Sequence, residues 1–430
     1  MVESISLVLF GLLFVLLVLH TPIAVALGLS TMVAALIGGK YSLTYIVQGM
    51  IGAANSFPLL AIPFFILAGE LMGQGGVSTR LLNAADAFFG RKKGGLAIIT
   101  IVTCMFFAAV SGSGPATVAA IGGITIPAML KQKYDRGYAG AITSVAGSIG
   151  CIIPPSIPMV VYSVATGTSI AKMFMAGFIP GILVGVGLII YSKIYCGKRG
   201  YINEEAPSFS WKVAGKALWD AKWALLMPII ILGGIYAGVF TPTEAAVVAV
   251  FYGFIIGVFV YKEINFKTFL NILKSSTITT AIIMFVICSA TAFGKILTIE
   301  SIPNKVAAWI IGLTNSKILL LLLINILLLI VGCFMEATSS MLILAPIFLP
   351  VIQEMGVDPI HFGIIMVINL SLGMATPPVG ANLYVACNIS KGDIGEISKA
   401  VIWPIGVAVL VLLLVTYIEP LSMLLPRLLG

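Results

Sequence analysis

The chain has 430 residues, 60% of them hydrophobic and only 9% charged, with a mean hydropathy of +1.14. Soluble domains carry about a quarter charged residues, so a water-soluble fold is excluded. The formal net charge of +8 is not read as a nucleic-acid footprint, because the lysines and arginines lie between apolar runs, where they report membrane orientation.

Taken in chain order, the apolar runs predict spans over 4–20, 23–38 and 57–74, a hairpin over 94–131, and spans over 138–166 and 177–195. A second set follows: spans over 223–240, 243–261 and 277–296, a hairpin over 317–353, and spans over 360–390 and 401–419. Crossing hydrocarbon takes about 20 apolar residues, and runs such as Trp223 to Phe240 and Ile318 to Phe334 approach that length. The first run has neither a basic flank nor a small-residue cleavage site, so it is read as a retained span. Segments 78–93 and 262–276 are amphipathic and basic, and are expected to lie along the interface as bracing arms.

Alternate loops sort by charge. One side collects 18 basic residues, the other receives Lys40, Lys172, Lys305, Lys317 and Arg427, and Lys295 sits at a span end. By the positive-inside rule the richer side is cytoplasmic and both termini lie outside. Both ends of the first hairpin fall on the basic side and both ends of the second on the poor side. The hairpins therefore enter from opposite faces, and their polar tips favour re-entry over full crossing.

The chain also repeats itself. An offset of 223 residues aligns Pro127 with Pro350, Gly140 with Gly363, Ser148 with Ser371, Gly150 with Gly373, and Pro154-Pro155 with Pro377-Pro378 without a gap. Thr21-Pro22 and Thr241-Pro242 match at an offset of 220. Two oppositely oriented halves make an inverted-topology repeat, the arrangement of secondary transporters whose sites lie at discontinuous helices.

Each half pairs a polar hairpin tip with a proline-broken helix. In the first half these are Ser111 to Ala120 (SGSGPATVAA) and Gly147 to Met159 (GSIGCIIPPSIPM); in the second, Met335 to Met341 (MEATSSM) and Ser371 to Tyr384 (SLGMATPPVGANLY). Proline removes a donor and blocks the carbonyl four residues back, and a freed carbonyl in hydrocarbon is costly unless something binds it. Such oxygens, with Ser and Thr hydroxyls, suit Na+, while helix N-termini attract a carboxylate. One such motif alone is commonly a packing kink. Four in symmetric register point to a built site.

At these residues the sequence resembles the large membrane subunit of tripartite ATP-independent periplasmic (TRAP) transporters of the ion transporter superfamily. The resemblance runs over essentially the whole chain, through SGSGPATVAAIGGITIPAM, GSIGCIIPPSIPMVVYSVATGTSIAKMF, GVFTPTEAAVVAV, LAPIFLPV and TPPVGANLYVACNIS. It implies an all-α integral membrane protein of the elevator type, with two inverted repeats, about ten spans and two re-entrant helical hairpins. Scaffold spans and arm would occupy 1–93 and 177–316, the moving hairpins and broken helices 94–176 and 317–400, and a final span and tail 401–430. It further implies Na+ as coupling ion, an organic acid such as a C4-dicarboxylate or sialic acid, a small four-helix membrane subunit, a periplasmic substrate-binding protein, and the bacterial inner membrane.

Carried over residue by residue, one sodium site would use Ser111 and Ser113 with backbone oxygens near Gly150, Ile153 and Pro155. The other would use Glu336, Thr338, Gly373 and Thr376. Substrate would sit near Ser111, Ser156, Glu336, Thr376 and Asn382. Family members often have Asp where Glu336 stands.

A carboxylate deep in an apolar segment is expensive and usually functional, which singles out Glu336. Glu244, after Thr241-Pro242 near a span end, reads as a cap or a scaffold contact; Glu70 and Lys295 near span ends read as snorkelling. His20 and His361 share no metal-ligand spacing, and the six cysteines are scattered singly as packing residues. No GxxxxGK[ST] loop supplies ATP drive, and no catalytic set marks an enzyme. The competing readings are a carrier of the same superfamily that needs no binding protein, and a channel or scaffold.

Overall fold

Long apolar runs without water to satisfy their amides must close their hydrogen bonds internally, and the computed structural model is almost wholly helical, with no strand among the described residues. It describes residues 2–19, 21–38, 42–201, 209–313 and 316–429; His20 and Lys40 lie outside these.

The first half runs α1 (Val2–Val18), α2 (Ile23–Gly38), α3 (Leu43–Ala54), α4 (Ala61–Gln74, entered through a 3-10 turn at Phe57–Leu60) and α5 (Val77–Phe89). Its hairpin is α6 (Gly95–Ser111), α7 (Gly114–Thr117) and α8 (Gly123–Lys131), the last two joined by a π turn. Then come α9 (Arg136–Ser148), α10 (Ile157–Thr166) and α11 (Ile170–Arg199). The second half runs α12 (Trp211–Tyr236), α13 (Pro242–Ile255), α14 (Phe266–Ile299) and α15 (Ile302–Leu313), a hairpin of α16 (Lys317–Phe334) and α17 (Ala337–Glu354), then α18 (Pro359–Gly373), α19 (Ala381–Ser390), α20 (Ile394–Tyr417) and α21 (Pro420–Leu429).

Eight stretches among the described residues are long and apolar enough to cross a bilayer, and two of these are the arms of the second hairpin. The remaining six, with α1 and α2, which at 17 and 16 residues fall just short, and the two broken helices α9–α10 and α18–α19, give ten spans. Large side chains such as Leu7, Phe14, Phe251 and Trp403 are exposed, a surface that hydrocarbon, not water, tolerates.

The two broken helices occupy the interior. Every residue from Gly137 to Ser148 and from His361 to Gly373 is buried. They interlock across the halves: α19 and α20 pack on α9, while α10 packs on α17 and α18. The Tyr162 hydroxyl of α10 donates to the Pro359 carbonyl at 2.6 Å. Around this core stand α1–α4 and α12–α14, where α13 packs on α4 and α14 on α2, α3 and α4.

One expectation about the periphery changes. The segment 262–276 is no separate arm: it runs into the following span as one 34-residue helix, α14, because no Gly or Pro interrupts Phe266 to Phe293. The equivalent place in the first half does break, at Asn55-Ser56-Phe57-Pro58, where α3 ends and the 3-10 turn carries a proline in its first turn. In the first half a separate helix, α5, covers most of 78–93, and its Arg80 pairs with Glu263 at 3.5 Å and lies 3.7 Å over the Tyr261 ring. Glu244 closes a capping box with Thr241 on α13, as its place after Thr-Pro predicts.

Candidate functional site

At the first tip, α6 ends on Gly112, whose φ of 62° is a left-handed conformation that glycine adopts without strain. Ser113 is extended at φ −138°, ψ 131°, and Gly114-Pro115 restart the helix. The turn gathers oxygens. The Thr117 hydroxyl donates to the Ser113 carbonyl at 2.8 Å, the Ser111 and Thr117 hydroxyls are 2.8 Å apart, and Ser111 Oγ lies 3.4 Å from the same carbonyl. Ser111 and Thr117 are buried.

The first broken helix clasps this turn. Ile157 N–H donates to the Gly112 carbonyl at 3.2 Å, and Gly114 N–H donates to Cys151 Sγ at 3.1 Å. A Cβ on Gly150 would meet the Ser113 carbonyl oxygen at 2.6 Å, so glycine is needed for the approach. Pro154 and Pro155, joined by a cis bond, offer no N–H to the carbonyls of Gly150 and Cys151. The Ser156 hydroxyl takes up the Cys151 carbonyl at 2.6 Å.

At the second tip, Glu336 occupies the N-cap of α17. Its Oε2 accepts from Thr338 N–H at 2.9 Å and Ser339 N–H at 3.3 Å, and its Oε1 accepts from the Thr338 hydroxyl at 2.7 Å. A carboxylate has about four acceptor sites, so one remains free for a ligand. The second broken helix meets this tip at the backbone. Gly380 N–H donates to the Cys333 carbonyl at 3.0 Å, and Gly332 and Gly373 touch at their Cα atoms. The cis Pro377-Pro378 pair leaves two carbonyls without their helical donors; Gly373 O is taken by Thr376 N–H and Met374 O by Asn382 N–H, each at 2.8 Å.

Of the proposed sodium residues, Ser111, Ser113 and Gly150 come together at the first tip, with the Pro155 carbonyl beside Gly112, whereas Ile153 lies against Gly181 of α11; at the second, Glu336 bonds Thr338, and Thr376 bonds Gly373 within the broken helix. The proposed substrate residues do not form one ring. Ser156 is fully buried beneath the first tip. The Thr376 hydroxyl donates to the Leu372 carbonyl at 2.8 Å. Asn382 is buried between the halves, its Nδ2 donating to Ser148 Oγ at 3.0 Å and the Ser144 carbonyl at 3.3 Å while its Oδ1 has no hydrogen-bond partner among the described residues.

Sequence reasoning missed Thr117 and Cys151. Thr117 stands four residues after Ser113, the helical spacing that brings its hydroxyl back to that carbonyl, and this could have been read from SGSGPAT. Cys151 gave no signal, since a thiol in an apolar run reads as packing. His361 bonds Ser422 Oγ through Nδ1 at 2.7 Å and the Thr416 carbonyl through Nε2 at 3.2 Å, tying α18 to α20 and α21.

Comparison with known proteins bears on the whole chain. Residues 10–421 match the family model of the tripartite ATP-independent periplasmic transporter, DctM component. The isethionate TRAP transporter permease protein DctMQ of Oleidesulfovibrio alaskensis is 49% identical over 97% of this chain, which spans 65% of that protein's length. The C4-dicarboxylate TRAP transporter large permease protein DctM of Pseudomonas aeruginosa is 44% identical over 94% of each. Among solved structures, the YdaH transporter of Alcanivorax borkumensis, described as having an unusual topology, shares the fold with a TM-score of 0.62 at 18% identity, over 88% of this chain and 89% of that one. With ten spans, two hairpins and two broken helices in a match that covers nearly its full length, the chain belongs to the DctM component family of TRAP transporters and is a multi-pass membrane protein of a transport system.

Proposed function

We propose that this chain is the large permease of a three-part uptake system in a bacterial inner membrane, with both termini on the periplasmic side. It takes an organic anion from a periplasmic binding protein, works beside a small four-helix membrane subunit, and is driven by co-transported Na+ through an elevator movement of the hairpins and broken helices against the surrounding spans. The supporting observation is the pair of tip-and-break clusters. Each sets hydroxyl or carboxylate oxygens against a helix whose proline pair has lost backbone donors, a hard-oxygen surrounding that suits Na+. The confinement of each cluster to one half fits a rigid moving unit in which the halves interlock. Relatives named for isethionate and C4-dicarboxylate transport support a small carboxylate or sulfonate as solute, with sialic acid in the same class.

The test is uptake of labelled succinate, isethionate or N-acetylneuraminate into proteoliposomes holding the permease and its small subunit. Uptake is expected only with an inward Na+ gradient and the binding protein both present. Accumulation with K+ in place of Na+ overturns the coupling, and accumulation without the binding protein establishes the self-sufficient carrier instead.

A further inference from the structure

A cavity of about 520 Å³ lies between the surrounding helices α3 and α14 on one side and α10 and α17 on the other. It belongs to neither tip. The α3 wall presents Tyr45, Gly49 and Gly52, with Ser56 just beyond the helix end, and the α14 wall presents Thr291, Gly294, Lys295 and Thr298. These spacings of three and four keep each set on one helix face. Val161 and Leu342 close the far side.

Lys295 is the charged residue of this lining, and no Asp or Glu shares it. Its side chain lies across Gly49, where a Cβ would come within 3.1 Å of Nζ, and Nζ is 5.2 Å from the centre of the Tyr45 ring. Snorkelling, the simpler expectation for a lysine near a helix end, would point the ammonium out past Ile299; the side chain instead folds toward α3. The ion pairs of the described residues, Arg80–Glu263, Arg199–Asp135 and Arg427–Glu419, do not include it. A half-buried ammonium without a carboxylate is costly in a membrane, and a cavity lined by one sign of charge raises the local concentration of the opposite one.

We infer that this cavity is an anion-binding vestibule in which Lys295 receives the carboxylate or sulfonate group of the transported solute before it reaches the tips. Gly49 leaves room for the ammonium, and the Ser56 hydroxyl supplies a neutral donor for a further oxygen of an oxyanion, while the Thr291 and Thr298 hydroxyls donate to the Ile287 and Gly294 carbonyls of their own helix at 2.8 and 2.9 Å. By the charge pattern of the loops, α14 starts on the basic side at Lys267 and ends on the poor side at Ile299. Lys295 is then at the outer end, where a periplasmic donor would release its cargo. This placement rests on the uptake reading above.

The experiment uses the full-length Ser56→Cys protein in proteoliposomes and compares its reaction with 2-sulfonatoethyl and 2-(trimethylammonio)ethyl methanethiosulfonates. Modification is followed by mass on the peptide carrying residue 56, apart from the six native cysteines. Relative to a free thiol, the anionic reagent is expected to gain about tenfold over the cationic one. Adding Lys295→Gln should abolish that gain, Lys295→Arg should retain it, and millimolar succinate or isethionate should slow labelling only where the positive charge is kept. Equal reaction of the two reagents, a preference that survives Lys295→Gln, or no slowing by either solute overturns the proposal. Because the measurement needs no Na+ gradient and no binding protein, failure of the uptake reading leaves its outcome standing, and intact coupled uptake without a charge preference sinks the vestibule alone.

Discussion

The two hairpin tips solve one backbone problem with different electrostatics. Under the 223-residue offset Ser113 corresponds to Glu336, Thr117 to Ser340 and Gly150 to Gly373. The back-bond from the fourth residue to the capping residue's carbonyl is kept in both, Thr117 to Ser113 at 2.8 Å and Ser340 to Glu336 at 3.0 Å. The cap itself is not kept. Ser113 makes no side-chain cap bond, whereas Glu336 accepts two N–H groups of α17 and so offers both a charge and a helix cap. The repeat thus preserves the oxygen-gathering turn and varies its charge, so that, under the proposed Na+ coupling, the second tip is expected to be the stronger cation site.

The largest effect is expected where backbone meets backbone. A Cβ on Gly373 would fall on Gly332, reaching its carbonyl carbon at 2.5 Å and its oxygen at 3.0 Å, with no side chain to yield. On Gly150 it would press on the Thr117 hydroxyl, which can rotate, and on the Ser113 carbonyl. Overpacking costs about 1–3 kcal/mol, occasionally more. Gly373→Ala is therefore expected at or above the top of that range and Gly150→Ala near its middle, read as loss of monodisperse protein and a lower thermal midpoint in detergent. Equal damage at the two positions would break the comparison.

Next in size is the cap. Losing an N-cap costs about 1 kcal/mol, so Glu336→Ala should lower the midpoint, while Ser113→Ala, with no cap bond to lose, should leave it nearly unchanged. Glu336→Gln separates the two roles of the carboxylate. It keeps an acceptor for α17 but removes the charge, so stability should hold while the Na+ concentration for half-maximal uptake rises about tenfold, equivalent to about 1.4 kcal/mol. An unchanged Na+ dependence in Glu336→Gln would reduce Glu336 to a structural cap.

Much of this was legible in the sequence because its cause is local. Pro-Pro breaks a helix wherever it falls, and Thr-Pro-Thr-Glu caps one, so the broken spans and the α13 capping box followed from residues alone. The fate of the arms was less legible: periodicity marked 78–93 and 262–276 alike as amphipathic, but only a breaker decides whether such a segment detaches. α3 and α15, at 12 residues each, are too short for a span-length window. The close approach of Gly332 to Gly373 has no local sign, since Gly332 sits in an ordinary apolar run and its partner is 41 positions away. Likewise the fold of Lys295 toward α3 has no local sign, since the room for it is made by Gly49 on a distant helix.

The smallest effect probes the hydroxyl network that the first tip has and the second replaces with charge. Thr117→Val keeps the side chain's shape but removes the donor to the Ser113 carbonyl and the neighbour of Ser111 Oγ. Side-chain hydrogen bonds in membrane proteins average about 0.6 kcal/mol and reach about 1.7. Ser340→Ala removes only a back-bond to the helix's own carbonyl, an interaction that stabilises helices little. The Thr117 variant should therefore lose more stability than the Ser340 variant. Within the first tip, Ser111→Ala and Thr117→Val should be less than additive, because each already breaks the 2.8 Å contact between the two hydroxyls. Additive losses would mean that the two hydroxyls act apart.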